Sequence, residues 1–79
     1  MEEKLLLLGY EIETDLDGTI TAAKVDFNRD CELIIKVRDN RVIDFYVFNI
    51  HRRFKNPNQV DHLCEAFDEL QKDLKELTN

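Results

Sequence analysis

The sequence predicts an α+β domain in which a four-stranded antiparallel meander is followed by one C-terminal amphipathic helix packed across one face of the sheet, ββββα. Three observations predict it. Asp17-Gly18 is a strong two-residue hairpin signal between apolar-alternating segments. Two further turn signals, Asn28-Arg29-Asp30 and Arg38-Asp39-Asn40, divide the next thirty residues into strands of similar length. From Val60 onward the apolar period changes from two to 3.6.

The first strand is expected over residues 4–14 and the second over 19–27. Closing the hairpin on Asp17-Gly18 pairs Leu16 with Thr19, Ile12 with Ala23 and Tyr10 with Val25, and sets Glu11 against Lys24 on the other face. A three-residue loop at Asn28–Asp30 sets Phe27 against Cys31, Val25 against Leu33 and Ala23 against Ile35, giving a third strand over 31–37. For the last turn, a two-residue loop at Asp39-Asn40 would place Asp44 beside Ile35. A three-residue loop at Arg38–Asn40 places Ile43 there and Phe45 beside Leu33, so the longer loop is preferred, with Asn40 in the left-handed region. The fourth strand runs over 41–50.

The helix is expected over 57–77. Val60, Leu63, Phe67, Leu70, Leu74 and Leu77 recur in steps of three and four and form one seam, widened by Cys64. Asn56 supplies a cap, Pro57 suits the first helical position, and Gln59 completes a capping-box spacing. The back of the helix carries Asp61, Glu65, Asp68, Glu69, Asp73 and Glu76 and is expected to face water. The seam finds apolar partners only on the inner face of the sheet.

Seventy-nine residues suffice for a single domain over residues 1–79 with a modest core, close to the size at which a second copy often supplies missing burial. The net charge of −6 is unevenly spread: residues 1–27 hold seven acids and two bases, 28–55 four acids and seven bases, and 56–79 six acids and two bases. That balance argues against general nucleic-acid affinity. No apolar run approaches the length of a membrane span, and Glu2-Glu3 precede the short Leu5–Leu8 run, so a cytoplasmic protein is expected. Cys31 and Cys64 fall at inward positions and read as reduced core residues.

The same spacing leaves apolar residues on the outer face. Leu5 and Leu7 on the first strand, Ile34 on the third, and Val42, Tyr46, Phe48 and Ile50 on the fourth all fall there. Either the sheet curls and covers them, or Leu5, Leu7, Ile34, Tyr46 and Phe48 form a face or edge that binds another protein, a homodimer being the simplest case.

The stretch Asp15-Leu16-Asp17-Gly18-Thr19-Ile20 resembles the first motif of haloacid-dehalogenase-type phosphohydrolases. That resemblance implies Asp15 as nucleophile and Asp17 as acid/base. It covers six residues of 79, and the family's parallel sheet and downstream magnesium motifs have no room in the rest of the chain. A calcium loop does not fit either, because the twelfth position from Asp15 is Asp26. A tight turn accounts for Asp17-Gly18.

Catalytic and metal residues are not expected. The chain has no serine and only two glycines, Gly9 and Gly18, too few for a phosphate loop. His62 and Cys64 lie two positions apart on a helix and point to different faces, a poor geometry for a nucleophile and its base. No metal spacing joins the cysteines and histidines, and no cofactor is implied.

The basic cluster His51-Arg52-Arg53-Phe54-Lys55 is read as a solvated connector, with contact of Arg52, Arg53 and Lys55 to phosphate or an acidic partner as the alternative. The expected function is therefore a non-enzymatic, self-associating interaction module. Its alternative is an acidic inhibitor that imitates a phosphate backbone through Asp61, Glu65, Asp68 and Glu69.

Overall fold

A computed structural model describes residues 1–50 and 58–78. The elements follow in the order α1 (Glu2–Leu7), β1 (Glu11–Thr14), β2 (Ile20–Asp26), β3 (Cys31–Arg38), β4 (Arg41–Asn49) and α2 (Asn58–Thr78). The four strands form one antiparallel sheet in the order β1-β2-β3-β4, and α2 packs across it, as the sequence predicts.

Residues 2–7 overturn the first half of the expected strand 4–14, for they are helical. The reason is local. Glu2 and Glu3 occupy the first turn, where acids suit the helix dipole, and the leucines that follow are good helix formers with no β-branched residue among them. Gly9 (φ +97°) ends the helix in the left-handed region. The Gly9 N–H bonds the Leu6 carbonyl at 3.1 Å and the Tyr10 N–H bonds the Leu5 carbonyl at 3.0 Å, the paired bonds of a Schellman stop. Leu5 is thereby placed in the core, with none of its surface exposed.

The first turn is one residue longer than Asp17-Gly18 implies. The Asp15 N–H bonds the Thr19 carbonyl at 2.8 Å and the Gly18 N–H bonds the Asp15 carbonyl at 3.0 Å, enclosing Leu16-Asp17-Gly18 with Gly18 at φ +89°. Leu16 stands in solvent rather than pairing with Thr19. Ile12 consequently faces Ala22, and Glu11 faces Ala23 rather than Lys24. The second turn is also longer by one, since Asp26 pairs with Cys31. Asp26 Oδ1 holds this loop by accepting the N–H groups of Asn28 (3.1 Å) and Arg29 (3.2 Å).

The two shifts cancel between β1 and β3 and turn over β2 alone. Ile20, Ala22, Lys24 and Asp26 share the inner face with Ile12, Cys31, Leu33, Ile35 and Val37. Thr21, Ala23, Val25 and Phe27, expected inside, lie on the outer face.

The third loop is the shorter two-residue form, Asp39-Asn40, with both residues at positive φ (52° and 62°) as a type I′ turn requires. A bulge between the Val37↔Val42 and Lys36↔Asp44 pairs then inserts Ile43. Phe45 lands beside Ile35 and Val47 beside Leu33, two residues from the expected register but inward as expected, whereas the bulge turns Val42, expected outward, in against Val37 and leaves Ile43, expected inside, exposed.

The core joins Leu5, Tyr10, Ala22, Cys31, Leu33, Ile35 and Val37 to Ala66, Leu70 and Leu77 of α2. The α2 seam is rotated from the expected one. Ala66 and Asp73 are buried in it, while Val60 and Phe67 sit at its exposed margin. Cys64 is exposed, which corrects its expected inward position, and Cys31 alone is a buried cysteine; both are free thiols. Asn56 and Pro57, the expected cap and first helical residue, lie outside the described residues.

Candidate functional site

Both helices lie on the inner side of the sheet: α2 packs on β3 and β4, and α1 packs on β1 and α2. Among the described residues no element covers the other side. The cross-strand rows on that open face run Glu13–Thr21–Lys36–Asp44, then Glu11–Ala23–Ile34–Tyr46, then Val25–Glu32–Phe48. Its middle is apolar and its β1 border acidic. Ile34, in the middle of this face, is 5% exposed. Tyr46 and Phe48 are 39% and 41% exposed, with ring centroids 6.3 Å apart, and Val25 and Phe27 extend the patch toward the second turn.

Three of the five apolar residues singled out in the sequence, Ile34, Tyr46 and Phe48, are thus gathered on one face. The other two are elsewhere. Leu5 is sealed in the core, and Leu7 projects from α1 into solvent on the helical side of the molecule. Val25 and Phe27 could not be found from alternation, because that assigns them inward unless the lengths of both flanking loops are known.

A second feature opens where β4 meets α2. A groove of about 500 Å³ lies between Phe45, Tyr46 and Val47 of β4 and Leu63, Cys64, Phe67 and Asp68 of α2. Phe45 and Phe67 face each other across it at 6.3 Å between centroids, both partly exposed.

The polar residues on the inner face are structural fasteners. Lys24 Nζ donates to Asp73 Oδ2 at 2.7 Å and to the Leu8 carbonyl, a free end of α1, at 3.2 Å. The Tyr10 hydroxyl donates to the same Asp73 oxygen at 2.7 Å, and Lys24 Nζ lies 4.7 Å from the Tyr10 ring centroid. Burial first, and then the Asp73 carboxylate, push the Tyr10 phenol far above its ordinary range, so it stays a donor. Asp73, expected on the wet back of the helix, is inside for this reason.

Arg29 bridges Asp26 (2.6 Å) and Glu65 (3.0 Å), tying the second turn to α2. These two carboxylates hold the guanidinium in its charged form. Burial would raise Asp26, but the Arg29 bonds outweigh it and leave its carboxyl below the ordinary range.

Of the expected acidic surface, Asp61, Glu65 and Asp68 are exposed, Glu65 is engaged by Arg29, and Glu69 is half-buried. Arg52, Arg53 and Lys55 lie outside the described residues. Asp17, the acid/base by resemblance, is an element of the first turn: its Oδ1 accepts the Thr19 N–H at 3.0 Å and its Oδ2 pairs with Arg38. Those contacts, the Thr19 backbone bond foremost, lower its pKa. Among the described residues no three His, Cys, Asp or Glu side chains gather as a metal site, and no helix is long and apolar enough to cross a membrane.

No protein-family model, curated protein or solved structure compared with the chain matches it.

Proposed function

We propose that the chain is a non-enzymatic protein-binding module that self-associates by packing the open face of its sheet against that of a second copy. The observation that carries the reading is the apolar patch of Val25, Phe27, Tyr46 and Phe48, exposed around the buried Ile34 on a face that no element among the described residues covers. Rings and branched side chains on adjacent strands are bordered by Glu11, Glu13 and Lys36, with Glu32 standing between Val25 and Phe48. A two-fold axis parallel to the sheet would bury the same patch twice and leave both helical layers outward. The two free thiols fit a reducing compartment, and a cytoplasmic location belongs to the same proposal.

Sedimentation of the intact chain beside Val25→Glu/Phe48→Lys tests it. A dimer mass that falls to the monomer in the variant is expected; an intact chain that sediments as a monomer at all concentrations sinks the reading.

A second reading, a phosphate-mimicking inhibitor, draws on Asp61, Glu65 and Asp68 standing exposed on α2. The engagement of Glu65 by Arg29 and the partial burial of Glu69 weaken it.

A further inference from the structure

We propose that the groove between β4 and α2 is a separate binding site that takes an extended basic peptide as a fifth strand on the β4 edge. It does not depend on self-association through the open face. Three observations converge on it.

The first is the direction of the β4 backbone. The Ile50 N–H donates to the Asp30 carbonyl at 2.8 Å, which continues the β3–β4 register one pair beyond Cys31↔Asn49. Bonded and non-bonded pairs alternate along an antiparallel ladder. The bonded residues of β4 are therefore Asp44, Tyr46 and Phe48, and Phe45 and Val47 turn their N–H and C=O groups away from β3, toward the sheet edge. The Phe45 N–H accordingly finds the side chain of its neighbour, Asp44 Oδ1, at 2.9 Å instead of a strand. Over Phe45 and Val47 this edge strand, which has no proline and no lysine, is a template for another strand.

The second is that these same two residues line the groove. Phe45 and Val47 form one wall, and Leu63 and Phe67 the other. A peptide that bonds the edge amides of Phe45 and Val47 points alternate side chains into that groove, whose size suits an aliphatic or aromatic group.

The third is charge, and it selects the occupant. Asp68 lines the groove, and Asp61 stands two helical turns earlier on the same side of α2, both exposed. Lys or Arg side chains two positions to either side of an apolar anchor, on the same face of the added strand, would meet them. A second copy pairing β4 with β4 would set both α2 helices on one side of a continuous sheet, with Asp61 and Asp68 confronting their own counterparts. The edge is therefore suited to a basic strand and not to another copy of this chain.

The probe is a fluorescein-labelled peptide, Thr-Lys-Thr-Phe-Thr-Lys-Thr, in which both lysines share a face with the phenylalanine, titrated against the full chain by fluorescence anisotropy. Its comparators are the same peptide with glutamates for lysines and the same peptide N-methylated at alternate residues along one edge. Cys64, exposed in the groove wall, reports position through its rate of alkylation. Expected are saturable binding, a loss of about tenfold or more with either comparator or with Asp61→Lys/Asp68→Lys, and slower Cys64 alkylation at saturation. Val25→Glu/Phe48→Lys, on the open face, should leave the peptide affinity unchanged, which separates this site from self-association. Equal affinity for the N-methylated peptide, unchanged Cys64 reactivity, or absence of binding would each overturn the proposal.

Discussion

Asp73 shows how one buried carboxylate sets the position of three elements. It lies on α2, receives Lys24 from β2 and Tyr10 from the segment after α1, and is 7% exposed. Removing Asp73 leaves the buried Tyr10 hydroxyl without its acceptor and the Lys24 ammonium without its counter-charge, holding only the Leu8 carbonyl, and Asp73→Ala should cost about 3 kcal/mol. Replacing all three with apolar residues, Tyr10→Phe/Lys24→Met/Asp73→Leu, should cost less than Asp73→Ala alone, as urea unfolding of the two variants will show.

At Asp26 the consequence is a pH dependence. An unfolded aspartate titrates near about 3.9, and the folded value is lower because Arg29 outweighs burial. The folded state therefore gains stability above the unfolded value and loses it as pH falls through the folded one. Thermal melts from neutral to acid pH should show that loss, and Asp26→Asn should be less stable at neutral pH and flatter toward acid.

Among the elements, α1 is anchored by one side chain. Leu5 is fully enclosed while Leu7 is 87% exposed. Leu5→Ala should destabilise the fold by about 2–5 kcal/mol, and Leu7→Ala by no more than about 0.5 kcal/mol; a strand over 4–14 would not separate neighbours on α1 in this way. The β3–β4 turn gives a second test. Asn40 holds φ +62°, a conformation asparagine tolerates and a β-branched residue does not. Asn40→Val should cost about 1–2 kcal/mol and Asn40→Gly should be close to neutral, read as shifts in Tm.

For the whole molecule, both helices lie on one side of the sheet, and no element among the described residues covers the other. The proposed self-association through that side would make stability depend on concentration, because the associated form is folded. The Tm should therefore rise with protein concentration in the intact chain and stay constant in Val25→Glu/Phe48→Lys, measured by scanning calorimetry over a wide concentration range.

The α+β class, the meander order and the C-terminal helix were legible in the sequence because they rest on periodicity, a property of each segment by itself. Val60 to Leu77 repeats every 3.6 residues whatever surrounds it, and Leu33, Ile35 and Val37 alternate as a strand does. Ile34, Tyr46 and Phe48 were legible as outward for the same reason. Gly9 after a run of helix formers carried the signal for α1, but a short apolar run reads equally as strand.

Which face β2 presents was decided only in the tertiary structure. A one-residue change in loop length reverses every side chain of a strand. Lys24 and Asp26 can turn inward because Asp73 and Arg29 receive them there. Those partners are 49 and three residues away, and the distant one is brought to Lys24 only when α2 docks. The groove, too, exists only once β4 and α2 are side by side, since neither element contains it alone.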